Sequence, residues 1–151
     1  MSLELNNIET RPMLLTDIQQ VLVIEEESFG SPWSENAFIS EMKNQYAYYL
    51  VASIGDKVVG YIGAWLIFDE AHITTLAVAK EHRRQGIATL ILEELFKDVR
   101  ENQINKATLE VRVSNQRARK LYLQEGFVEV GVRKNYYSDN KEDAVIMWKQ
   151  L

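Results

Sequence analysis

The 151-residue sequence contains no cysteine, only two prolines and only two histidines, His72 and His82. Without cysteine the chain has no disulfide, no thiolate metal site and no thiol nucleophile. Two isolated histidines do not supply the ligand set of a histidine metal centre, so we expect no metal. No apolar run approaches the roughly 20 residues of a membrane-spanning helix, and residues 1–6 lack the basic-then-apolar pattern of a secretory signal. We therefore expect a cytoplasmic protein that does not contact membranes.

The charge is slightly acidic overall but unevenly distributed. Seventeen Lys and Arg against 22 Asp and Glu give −5, which argues against nucleic acid as a partner. Residues 1–79 hold 3 basic and 11 acidic side chains, whereas residues 80–120 hold 10 and 6. The middle segment is thus a basic island, and we expect it to bind something anionic.

The length fits one domain, and no repeat or flexible linker interrupts residues 1–151. Hydrophobic periodicity predicts the order β-α-α-β-β-β-α-β-α-β-β, an α+β plan with a mostly antiparallel sheet. Thr16 is the expected N-cap of the first helix, with Ile18, Val21, Leu22 and Phe29 on its apolar face, and Ser34 is the expected N-cap of the second helix. The other expected elements are strands over 8–13, 46–54, 58–68, 72–78, 108–113, 127–132 and 143–148, and helices over 34–43, 86–102 and 115–124. Gly55-Asp56-Lys57 predicts a hairpin, Asp69-Glu70 a further turn, and Pro12 an edge strand.

A basic loop, Arg83-Arg84-Gln85-Gly86-Ile87-Ala88, joins a strand to the third helix. The first N–H groups of a helix lack internal partners and lie at the positive end of its dipole. Small residues at Gly86 and Ala88 let an anion approach this backbone, and the arginines add charge. The pattern favours a diphosphate-binding loop, and it lacks the Gly-Lys-Ser/Thr ending of a nucleotide-hydrolysing one. The alternative is a solvated basic turn.

With this loop the sequence resembles the GNAT superfamily of acetyl-CoA-dependent N-acetyltransferases. It is similar in particular to bacterial ribosomal-protein-alanine N-acetyltransferases of the RimI type. One departure is Ser31, where relatives often have phenylalanine. The resemblance implies a three-layer α/β/α GNAT fold, with about seven strands, four helices and splayed central strands that bind acetyl-CoA. The stretches that carry it are Ser31-Pro32-Trp33-Ser34-Glu35, Leu109-Glu110-Val111-Arg112, Ser114-Asn115 with Leu121-Tyr122 and Gly126-Phe127, and Asn135-Tyr136-Tyr137 with Glu142-Asp143-Ala144.

The resemblance also implies which residues bind the coenzyme. The backbone of Leu76, Ala77 and Val78 would contact the acetyl-pantetheine arm, and Asn115 would hydrogen-bond to it. The pyrophosphate would lie on Arg84, Gln85, Gly86, Ile87, Ala88 and Thr89. For Asn115 the alternative is a helix N-cap, a position that asparagine favours.

Transfer of acetyl to an amine requires a proton acceptor, donors for the developing oxyanion and a proton for the departing thiolate. The resemblance implies Glu110 as general base and Tyr122 as general acid, and a strand N–H such as that of Val78 is the expected oxyanion donor. The alternatives are an ion pair between Glu110 and Arg112, two residues along the same strand face, and a core role for Tyr122.

The resemblance implies that the acceptor is the N-terminal alanine amine of a ribosomal protein, contacted by Pro32 and Trp33 in one loop and by Tyr136 and Tyr137 in another. Trp33 could instead be a staple that packs onto its helix. The acidic residues Glu25, Glu26, Glu27, Asp69 and Glu70 form either a solvated face or a rim that attracts a basic peptide. The alternatives for function are acetylation of lysine side chains, other N-termini or polyamines, and a non-catalytic acyl-CoA-binding module. The sequence predicts no oligomeric state.

Overall fold

Seven strands form one mixed sheet in the order β1-β2-β3-β4-β5-β7-β6 in the computed structural model, which describes residues 7–151. The N-terminal segment considered above for a signal sequence, residues 1–6, lies outside this range. The strands are β1 (Glu9–Pro12), β2 (Ala47–Ile54), β3 (Lys57–Ile67), β4 (Glu70–Val78), β5 (Lys106–Arg112), β6 (Val128–Arg133) and β7 (Ala144–Gln150). The helices are α1 (Ile18–Ser28), α2 (Glu35–Met42), α3 (Ile87–Arg100) and α4 (Gln116–Gln124). This order confirms the α+β prediction.

Two hydrophobic clusters, one on each face of the sheet, make the fold a three-layer sandwich. Residues of α3 and α4 pack in the larger cluster, and residues of α1 and α2 pack in the smaller one. Strand β5 alternates between the two faces, and its buried members Ala107, Leu109 and Val111 belong to the larger cluster. Glu110 therefore points to the face that α1 and α2 cover.

Three local predictions are confirmed. Gly55 and Asp56 form the two-residue turn between β2 and β3, and Gly55 has the positive φ of 58° that such turns favour. Pro12 ends β1, which is an edge strand. The Ser34 side chain caps α2 by accepting a hydrogen bond from the N–H of Ala37.

The prediction that Thr16 caps the first helix is wrong. Thr16 lies inside a 3₁₀ turn over Leu15–Asp17, and α1 begins only at Ile18. Asp17 determines this geometry, because its carboxylate accepts hydrogen bonds from the Leu14 N–H and from both terminal nitrogens of Arg11.

The apolar face of α1 also differs from the prediction. Phe29 lies just beyond the helix and is 38% exposed, whereas Ile24 and the charged Glu25 are buried. The turn expected at Asp69-Glu70 occurs one residue earlier, and β4 already begins at Glu70.

Strands β4 and β5 form the only parallel pairing in the described sheet, and it is short. It joins Glu70–His72 to Lys106–Thr108, and the two strands then separate, so that β4 from Ile73 to Val78 pairs only with β3. We call this point the fork. It confirms the splayed central strands that the family resemblance implies. Across residues 7–151, no helix combines the length and the hydropathy needed to cross a bilayer.

The register between β2 and β3 depends on Gly63, which faces Tyr49. A Cβ atom at position 63 would lie 2.4 Å from the Tyr49 ring, so the aromatic ring occupies the space that the missing side chain leaves. The Tyr49 hydroxyl in turn donates to the buried Glu41.

We predict that Gly63→Ala destabilises the protein by roughly 1–3 kcal/mol, because the added methyl group displaces the buried Tyr49 ring. Chemical denaturation measures this change. Gly30→Ala is the matched control, because no atom lies within 4 Å of its Cβ position. It should change stability by less than about 0.5 kcal/mol. Equal stability of the two variants would contradict this account of the register.

Candidate active site

The first of two neighbouring cavities lies at the N-terminal end of α3, and we call it the α3 cavity. Its volume of about 410 Å³ is in the range of small-molecule sites. Five of the six residues expected to hold a pyrophosphate line it, and Gln85 does not. The residues from the prediction that line this cavity are Leu76, Ala77, Val78, Arg84, Gly86, Ile87, Ala88, Thr89 and Asn115.

Arg84 and residues 86–89, at the start of α3, line this cavity. Gly86 is the N-cap of α3 with a φ of 85°, and no side chain caps the helix. Within the described chain, none of the N–H groups of residues 84–89 donates a hydrogen bond. Arg84 also has a positive φ, of 65°. Six free donors at the positive end of a helix dipole can bind an anion.

Arg83 braces this loop. Its Nε donates to the carbonyl of Val78 at 3.0 Å, and a terminal nitrogen donates to the Ser28 hydroxyl at 3.1 Å. The guanidinium thereby ties the basic loop both to the end of β4 and to the end of α1.

Beyond the fork, one edge of β4 is open. The Ala79 N–H donates to Val59 on the β3 side, so alternation turns the backbone groups of Leu76 and Val78 toward the side that β5 has left. The Leu76 groups and the Val78 N–H lie where an extended ligand can pair with β4 as a further strand does, whereas the Val78 carbonyl is bonded to Arg83.

The second cavity, which we call the β5 cavity, lies between β4, β5 and the end of α1. Its volume is about 470 Å³, and Glu110 is part of its wall. The Glu110 side chain is 12% exposed; its Oε1 lies 2.7 Å from Nε2 of His72, and its Oε2 lies 3.8 Å from Nε of Arg133. The hydrogen bond from His72 is the main cause that holds the pKa of Glu110 below its usual range.

The alternative pairing of Glu110 with Arg112 is wrong. Although both lie on the same face of β5, Arg112 pairs with Asp139 at 2.9 Å and with Glu142 at 3.2 Å. Its guanidinium also stacks 4.0 Å from the centre of the Tyr137 ring. Arg112 thus fixes the loop between β6 and β7, and the hydrogen-bond partner of Glu110 is His72.

The two cavities meet at Tyr122 of α4. Tyr122 is 8% exposed and packs edge-on against Phe127, so it is a core residue as well as a wall of both cavities. Burial raises the pKa of its hydroxyl, which makes no hydrogen bond within the described chain. Leu76 and Asn115 also line both cavities. Asn115 is the N-cap of α4, because its Oδ1 accepts from the Ala118 N–H.

The four residues expected to contact an acceptor are arranged differently. Trp33 and Tyr137 line the β5 cavity, whereas the exposed Pro32 and Tyr136 do not. Trp33 is also the helix staple, since its ring lies 5.3 Å from that of Phe38, four residues into α2.

The acidic residues do not form one surface. Glu25 is buried and lines the β5 cavity, so it is not part of a solvated face. The other four line neither cavity. Glu27 accepts a hydrogen bond from the Lys80 N–H, and Asp69 lies 3.7 Å from Lys106.

The sequence model of the Acetyltransferase (GNAT) family matches residues 18–127 of this chain. The chain belongs to this family. A Bacillus subtilis protein, whose own assignment as a ribosomal protein bS18-alanine N-acetyltransferase is provisional, is 42% identical over 139 residues, covering 91% of this chain and 92% of that protein. The ribosomal protein bS18-alanine N-acetyltransferase of Escherichia coli is 34% identical over 134 residues, with coverages of 87% and 90%. The crystal structure of the ribosomal-protein-S18-alanine N-acetyltransferase from Escherichia coli superimposes with a TM-score of 0.87 at 30% identity, covering 95% of this chain and 93% of that one.

The GNAT membership confirms the fold expected from the motifs and makes this chain an acyltransferase. Within this GNAT site, sequence reasoning missed His72 as the partner of Glu110. A histidine on the strand before the basic loop was the available signal. Its contact with Glu110 depends on the parallel register that pairs His72 with Thr108, two residues before Glu110.

We predict that His72→Phe raises the pKa of the Glu110 carboxyl, because the substitution removes the hydrogen bond that favours the ionised form. A carbon-13 NMR titration of glutamate carboxyls measures this pKa directly and needs no activity assay. His82→Phe serves as the control, since His82 does not contact Glu110. An unchanged Glu110 titration in His72→Phe would show that His72 does not set its charge.

Proposed function

We propose that this chain transfers the acetyl group of acetyl-CoA to the N-terminal alanine amine of a ribosomal protein. The main support is the junction of the two cavities, where an anion-binding groove meets a pocket that contains an ionised carboxylate. The names of the two curated relatives support the acceptor, since both refer to alanine of ribosomal protein bS18.

The residues of the α3 cavity suit acetyl-CoA as the donor. The free N–H groups of residues 84–89 would hold its pyrophosphate, with Arg84 adding positive charge. The open edge at Leu76 and Val78 and the Asn115 amide would hold its extended arm. When bound, the coenzyme supplies an acetyl group activated as a thioester.

Glu110 is the proposed general base. An α-amino group titrates near pH 8, so most acceptor molecules carry a proton at pH 7 that must be removed. The bond from His72 keeps Glu110 ionised and therefore able to accept this proton, directly or through water.

Tyr122 is the proposed general acid. Because burial raises its pKa, the phenol stays protonated at pH 7 and can donate to the departing sulfur. The Val78 N–H, on the open edge of β4, is the proposed donor to the developing oxyanion.

The loop between α1 and α2 and the loop between β6 and β7 would contact the acceptor peptide. Trp33 and Tyr137 form part of its wall, and Pro32 and Tyr136 lie in the same two loops, outside the wall. The bonds from Arg112 to Asp139 and Glu142 hold the second loop in position.

Glu110→Gln and Tyr122→Phe should each lower kcat by roughly 10²–10⁴, the usual contribution of a general base or acid. Steady-state kinetics with an alanine-initiated peptide measures the effect. The exposed residues provide matched controls, Glu101→Gln and Tyr46→Phe, which should retain wild-type turnover. Folded Glu110→Gln and Tyr122→Phe enzymes with undiminished kcat would refute the assigned roles.

The acceptor atom can be identified with two peptides of one sequence that begins with alanine and contains an internal lysine. One peptide has a free N-terminus and the other a formylated one. We expect mass spectrometry to show acetylation of the first peptide only, on the alanine nitrogen. Acetylation of lysine in both peptides would favour lysine side chains as the acceptor. If neither peptide is acetylated but spermidine, tested as a third acceptor, is, the acceptor class is a polyamine.

A further inference from the structure

One buried charge in the β5 cavity is not used by the mechanism above. Glu25, near the end of α1, is only 4% exposed and lines this cavity. One carboxylate oxygen accepts a hydrogen bond from the Tyr61 hydroxyl, and the other accepts one from the Trp33 N–H at 2.9 Å. Burial raises the pKa of the Tyr61 phenol, and the negative charge of Glu25 raises it further.

Within residues 7–151, no lysine, arginine or histidine nitrogen lies within 4 Å of the Glu25 carboxylate. Glu110, in the same cavity, has His72 and Arg133 nearby. A carboxylate taken out of water is costly unless a cation balances it. The protein thus keeps an unbalanced negative charge on the wall of the pocket that receives an amine.

A second buried glutamate, Glu41, has only a structural role and can be compared with Glu25. Glu41 of α2 is 8% exposed and accepts hydrogen bonds from Tyr49 and from the Trp65 indole. Both donors bond to the same oxygen, and Glu41 lines neither cavity. Glu25 differs because it lines a cavity that a cation can enter.

We propose that Glu25 binds the protonated α-amino group of the acceptor and so selects peptides with a free N-terminus. This inference rests on the proposed function, because it assumes that the β5 cavity receives a peptide amine. The acceptor's ammonium group supplies the positive charge that Glu25 lacks in the free protein. Once acetylated, the nitrogen is a neutral amide and loses this interaction, which favours release of the product.

This role differs from attraction by an acidic rim. Glu26 and Glu27, next to Glu25 in α1, are exposed and line neither cavity. Their charges are therefore screened by salt. Glu25 is shielded from solvent and held by two donors, and its effect should therefore depend on the charge of one nitrogen atom and not on the net charge of the peptide.

Binding of two peptides to the CoA-loaded enzyme tests this proposal without turnover. The first begins with alanine, and the second is identical except that hydrogen replaces the α-amino group, giving a propionyl end. Isothermal titration calorimetry should show that the wild type binds the amino peptide roughly 10–100-fold more tightly, the range for a hydrogen bond to a charged group. Glu25→Gln should reduce this ratio to about 1, whereas Glu26→Gln should retain it.

A further variant separates charge from packing. Tyr61→Phe removes a donor but leaves the Glu25 charge, so it should keep the preference for the amino peptide. Loss of the preference in folded Tyr61→Phe, or its survival in folded Glu25→Gln, would overturn the proposal.

The pH dependence gives a measurement that needs no variant. The preference of the wild type should fall as the pH rises above about 8, where the α-amino group loses its proton. A preference that is constant between pH 6.5 and 9.5 would overturn the role of the charge. If the wild type binds neither peptide, the proposed acceptor is wrong, and this outcome is distinct from a preference that Glu25→Gln leaves intact.

Discussion

The short pairing between β4 and β5 is the constraint on which the rest of the site depends. Only three residue pairs join these strands, and beyond His72 the backbone of β4 has one unpaired edge. Leu76 and Val78 on this edge are half-buried, and their backbone groups need a ligand or water as partner where the protein supplies none, as Arg83 does for the Val78 carbonyl. Glu110 lies on β5 just beyond the last paired residues and is still within hydrogen-bond distance of His72 on β4. The separation of the strands also opens the space in which Tyr122 lines both cavities.

The two cavities have opposite electrostatic character although they share a wall. The α3 cavity offers free N–H groups and Arg84, whereas the β5 cavity contains the carboxylates of Glu25 and Glu110. Arg112 also lines the β5 cavity, but it is paired with Asp139 and Glu142. The net charge of −5 averages over both. Near the fork, the partly exposed side chains of Lys106 and Asp69 pair at 3.7 Å.

Much of the fold and part of the site could be predicted from the sequence. Periodicity gave the order of strands and helices, and the basic loop indicated an anion site, because both signals are local. His72 was missed because its contact with Glu110 arises from pairing between strands that are distant in the chain. Glu25 lies in a run of three glutamates that resembles a solvated face, although its place directly after Ile24 on the buried side of α1 was a usable signal. Thr16 failed as a cap because the chain forms a 3₁₀ turn there, held by the bonds of Asp17 to Arg11 and to the Leu14 N–H.

The fork also divides the sheet into two halves, each built from one continuous part of the chain. Strands β1 to β4 come from residues 9–78, and β5 to β7 come from residues 106–150. Within each half every strand pairs in an antiparallel manner, so each half resembles a cooperative folding unit. The cleft proposed above as the catalytic site is the seam between these units. A molecule bound across the seam joins them, so that occupancy of the cleft and the stability of the whole chain become thermodynamically linked.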